Sequence, residues 1–172
     1  MAENKVEVEP WVRGTHEEVP VVLRAVIHLL ELAREDVRHW CSNLTDEEWN
    51  LSPDGLTPVA VHVRHMARSI DRLLTYAEGS QLSREQLDLM KGELEHPAKG
   101  VEVLAEFEAA LTKAEQRIRA FAGSNLEEKR GLGRKALPTS VGGLLIHVAD
   151  HTSRHLGQVV TTAKLVTTRE VS

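Results

Sequence analysis

The chain carries a single cysteine among 172 residues. No internal disulfide can form, which points to a reducing compartment. Cys41 itself stands beside Trp40 at the end of an apolar-periodic stretch and reads as a small buried hydrophobe. Uninterrupted apolar runs are also missing: no segment approaches the ~18 residues a membrane span requires. The opening MAENKVEVEPW has no basic start followed by an apolar stretch, so neither a signal peptide nor a transit peptide is visible. Nor is there a basic excess, since the formal net charge is -5. That balance argues against a general nucleic-acid binder and leaves small molecules or protein partners. Cytoplasmic location follows. No sustained apolar/polar alternation of the kind a half-buried strand requires is present, and there is no internal repeat or low-complexity tract.

What the sequence does have is apolar residues at three- and four-residue spacing almost throughout, the mark of an all-α chain. Its length fits one domain, placed at residues 15–172 behind a flexible N-terminal segment, 1–14. A first long helix is predicted from about Glu17 to Asn43, with Pro20 in its first turn and Val19, Leu23, Val26, Leu30 and Val37 on one stripe. Thr45 to Glu48 spells a capping box for one short turn. A second helix opens at Thr57 with Pro58 in the first helical position and closes at Gly79. Its stripe is Val59, Val63, Met66, Ile70, Leu73 and Ala77. Ser83 to Gln86 is a capping box for a short connecting helix, and His96-Pro97 and Gly100 then break the chain, with His96 solvated. A third long helix carries Leu104, Phe107, Leu111, Ala114, Ile118 and Phe121, a spacing suited to a bundle seam. Gly123 to Pro138 reads as a polar, solvated crossover loop, with a lid as the other reading. The last helix runs from Thr139 or Ser140 to about Val166. Four main helices form a four-helix bundle with short connecting helices and a long crossover before the last.

Histidines are concentrated in the last helix, as His147, His151 and His155, each one turn above the previous and all on one side. Residues eight apart are separated by ~12 Å along a helix axis, so His147 and His155 cannot share an ion. On a helical wheel His155 falls within the apolar stripe of Val141, Leu145, Val148, Thr152 and Val159, and His151 at its edge. The pair His151/His155 is therefore the expected one. A third ligand should come from a facing helix, and the second helix offers His62 and His65. The wheel slightly prefers His62, nearer the apolar stripe; His65 lies on the flank with Ser69, Arg72 and Tyr76. Periodicity does not choose between them. Asp150 and Gln158 are candidate partners for imidazole N–H groups. A lone histidine such as His28 reads as a hydrogen-bonded core residue.

The run His151-x-x-x-His155-x-Gly157-Gln158, preceded by Pro58-x-x-x-His62-x-x-His65, resembles the DinB-like (YfiT-like) metalloenzymes from roughly Val19 to Leu165. Carried over residue by residue, the resemblance places the ligands on His65, His151 and His155; His62 and His147 are candidates to support them, and whether either joins the ligands stays open. Leu156 stands where many members have arginine. The resemblance also implies a homodimer, and includes transferases and isomerases that depend on low-molecular-weight thiols.

Three histidines leave a coordination position open, the arrangement of catalytic zinc sites. Zinc or nickel suits such ligands, and iron is compatible with them. The expected activity is hydrolysis or low-molecular-weight-thiol transfer on a small-molecule substrate. The alternative is a non-enzymatic metal-binding bundle or a dimeric interaction protein.

Overall fold

A computed structural model describes residues 8–93 and 97–168. Four long helices form the body: α1 (Val21–Cys41), α3 (Val59–Ala77), α5 (Gly100–Arg119) and α6 (Val141–Thr168), with short helices α2 (Asp46–Asn50) and α4 (Arg84–Lys91) between them. His96 lies outside the described residues. Among those described, no helix is long and apolar enough to cross a membrane.

The expected stripes face inward. Leu23, Val26, Leu30 and Val37 of α1 and all six stripe residues of α3 are buried. On α5 the first core position is Val103 rather than Leu104, followed by Phe107, Leu111, Ala114 and Ile118. Cys41 is fully buried, and loss of solvent pushes its thiol up to about 12. Both capping boxes form, at Thr45/Glu48 and Ser83/Gln86. Helix α1 begins later than expected, at Val21, because a proline disfavours helical backbone in the residue before it; Pro20 is extended and becomes the N-cap. Ahead of it, Pro10–Val12 form a 3-10 turn, and Arg13 grips Glu35 of α1 with two hydrogen bonds.

Helix α6 packs between α1 and α3, and α5 packs against the same two helices. Side-chain pairs fix the directions. His62 meets His155 and His65 meets His151, so α3 and α6 are antiparallel. Arg68 bonds Glu106 while Arg117 bonds Glu78, so α3 and α5 are parallel. The chain must therefore travel back along the bundle between α3 and α5, and of the described residues 78–93, including α4, lie on that return.

The polar stretch before α6 is not a plain crossover loop. It folds into an antiparallel hairpin, β1 (Lys129–Leu132) and β2 (Leu137–Ser140), with Gly131 opposite Pro138. The hairpin sits at the end of the bundle where α3 finishes, since Arg130 donates to the Ala77 carbonyl at 2.8 Å. Strands of four residues are too short to display the alternation that betrays a strand in sequence.

Candidate metal centre

Antiparallel packing of α3 on α6 sets two histidine pairs at adjacent heights. On α6 the four-residue spacing stacks His151 and His155 with ring centres 4.5 Å apart. His65 of α3 is inserted against both, at 5.0 Å from His151 and 4.6 Å from His155. One nitrogen from each of the three rings lies within 4.8 Å of the others. All three side chains are half-buried, so the cluster is not sealed from solvent.

Proton inventory shows which ring atoms are available. Glu93 is buried, at 6% exposure. Burial opposes its ionisation, but hydrogen bonds from His65 and Arg72 outweigh that and hold its carboxyl below the usual range. An ionised carboxylate only accepts, so His65 Nδ1, 3.0 Å from Glu93 Oε2, carries the proton. In the neutral ring that leaves Nε2 as the bare nitrogen, and it faces His151 Nε2 at 3.2 Å. Ser69 Oγ, which accepts from Arg72, stands 3.3 Å from the same Nε2. Arg72 also pairs with the other oxygen of Glu93.

Burial, followed by repulsion from the neighbouring imidazoles, depresses the pKa of His151 to about 4, and the same causes lower His155. Neutral imidazole is the ligating form. Two nitrogens on one tetrahedral zinc, each about 2.0–2.1 Å from it, are ~3.3–3.4 Å apart, close to the His65–His151 separation. His151 Nδ1 is buried with no hydrogen-bond partner among the described residues. The cluster is thus not closed as a hydrogen-bond network, and its all-nitrogen donor set fits a divalent transition metal.

Of the remaining candidates, His62 is the most buried, at 7%. Its Nδ1 faces His155 Nδ1 at 3.2 Å, and burial depresses its pKa to about 4. The wheel ranked depth correctly; depth places His62 behind the cluster rather than in it. His147 stacks 5.8 Å from His151 on the far side from His155. Gln158 hydrogen-bonds the His155 ring. Asp150 turns to the surface and pairs with Arg154 at 2.6 Å. Leu156 is buried in the core. Glu93 was missed altogether, because nothing in its sequence neighbourhood signals that it returns to α3.

A second group of potential donors, His16, His28 and Glu31, also meets the spacing for a metal. Its proton inventory differs. Arg119 donates to His16 Nδ1 at 2.6 Å, so the His16 proton sits on Nε2 and is given to Glu31 Oε1 at 2.8 Å. His28 Nε2 lies 3.1 Å from Thr15 Oγ1. These contacts tie the loop before α1 to α1 and α5 and leave no bare nitrogen on His16.

The fold and the cluster define a helical bundle whose facing helices present a three-histidine group able to hold a metal. The family model of the DinB superfamily matches residues 29–159, and the chain belongs to that superfamily. No curated protein and no solved structure matches the chain.

Proposed function

We propose that this protein is a cytoplasmic, homodimeric metal-dependent enzyme acting on a small molecule, either as a hydrolase or as a transferase using a low-molecular-weight thiol. The observation that carries the reading is the convergence of His65, His151 and His155 from two helices, with ligand atoms within 4.8 Å of one another and His65 still 29% exposed. Three protein ligands that keep partial exposure suit an exchangeable position better than a closed structural site. Zinc or nickel is the expected ion, with iron compatible. Such an ion supplies a nucleophile at neutral pH by acidifying a water or a thiol.

The chain's own residues hold the site ready. Glu93 keeps the His65 proton on Nδ1, His62 occupies the inner nitrogen of His155, and burial keeps His151 neutral.

Metal content of the purified protein tests the reading, compared with His65→Ala, His151→Ala and His155→Ala. About one ion per wild-type chain and a loss in each variant are expected; unchanged content in the variants overturns it. Turnover then separates the two chemistries, since a thiol transferase consumes the thiol in proportion to product and a hydrolase turns over with no thiol present.

A further inference from the structure

Helix α4 contributes no buried side chain to the core. It spans a cleft of about 660 Å³ between α3, α4 and α5, lined in part by Arg72, Gln86 and Leu89. A surface helix over a cleft has few apolar contacts to hold it down and is expected at the low end of local stability. Polar ties do the holding. Gln86 of α4 donates to Thr75 Oγ1 at 2.8 Å, and Arg68 of α3 donates to the Leu89 carbonyl at 2.8 Å. The third tie comes two residues beyond α4, where Glu93 is inserted between His65 and Arg72.

That third tie joins the segment to the histidine cluster. If Glu93 left, His65 would be free to move its proton to Nε2, the nitrogen that faces His151, and its ring would lose the bond that fixes its orientation. Outer partners of this kind orient ligating histidines and raise their basicity. Arg72 pairs with Glu93 and also donates to Ser69, one turn along α3 from His65, so carboxylate, guanidinium and hydroxyl form one assembly on the flank of α3.

We infer that Glu93 is a positioning residue for metal binding, which fixes His65 in the tautomer with a bare Nε2 and makes the docking of α4 depend on occupancy of the histidine cluster. The inference rests on the metal reading proposed above. Coupling runs both ways: an ion that favours the Nδ1–H form of His65 strengthens the Glu93 bond, and a docked Glu93 strengthens the hold on the ion.

The test uses the full chain with zinc alone, titrated against a chelator, in wild type, Glu93→Gln and Glu93→Asp. Glu93→Gln keeps the size of the side chain but loses the charge; Glu93→Asp keeps the charge and withdraws it by one methylene. Zinc dissociation constants are expected to rise about 10- to 100-fold in Glu93→Gln and by less in Glu93→Asp. Nitrogen-15 NMR of the histidine rings should show the His65 Nδ1–H tautomer in metal-free wild type and its loss in Glu93→Gln, a signature that a purely structural role would leave untouched. Hydrogen exchange of the α4 amides should slow on zinc loading in wild type and not in Glu93→Gln. Zinc affinity of Glu93→Gln within about twofold of wild type, or an unchanged His65 tautomer, overturns the inference alone. Failure of the wild type to take up zinc overturns the metal reading and the inference together.

Discussion

His62 Nδ1 and His155 Nδ1 face each other at 3.2 Å across the α3–α6 interface. Two ring nitrogens at that distance form a hydrogen bond only if one carries the proton. If His155 is to offer its other nitrogen to an ion, its Nδ1 must be the donor and neutral His62 the acceptor.

Substitution of His62 tests that division of roles. His62→Leu should retain about one ion per chain, held ~10- to 100-fold more weakly, because the ring of His155 loses its orienting partner. Chelator competition measures this. Complete loss of metal would make His62 a ligand, and unchanged affinity would leave it no role.

The metal-free protein should weaken in mild acid. His62 and His151 titrate near 4 in the folded chain against an ordinary 6.5, because burial and neighbouring imidazoles disfavour the charged form. The unfolded chain therefore binds more protons below 6.5, so stability is fully present above that pH and is lost as pH falls through about 4. Glu93, held ionised in the fold, adds a loss of the same sign below 4.5. Denaturant melts of chelated protein between pH 8 and 4 should show this decline; a flat profile from 7 to 5 would contradict it.

At the junction of α2 and α5, Gly100 lies against the indole of Trp49. A methyl group there would stand 2.2 Å from Trp49 Nε1, and Trp49 is fully buried. Gly100→Ala should cost about 1–3 kcal/mol through overpacking, with a change in the tryptophan emission of the folded state. Equal denaturation midpoints for the two proteins would show that Trp49 moves aside freely.

What could be read in sequence was whatever one helix fixes by itself. The His151/His155 pair follows from four-residue spacing on α6, and the α3 stripe follows from its period. The choice between His62 and His65 is not a property of α3, since a wheel ranks burial and His62 is indeed the deeper of the two. Family resemblance points to His65; the structure brings His65 together with His151 and His155 because of the height at which α6 crosses. Glu93 was illegible for a stronger reason. Its position depends on α3 and α5 being parallel, which sends the connecting segment back over the flank of α3. The meeting of His16 with Glu31 was equally hidden, because it needs a left-handed turn at His16 (φ 58°).

The pairing of His65 with His151 joins residues 86 apart in the chain. An ion shared by them would close that loop as a covalent bridge does, and in the chain-entropy description a loop of roughly 100 residues stabilises a fold by ~4–5 kcal/mol. A chain with one cysteine would thus gain a cross-link through nitrogen instead of sulfur, made or broken by metal supply instead of redox state. Its thermal stability would then report the availability of the ion.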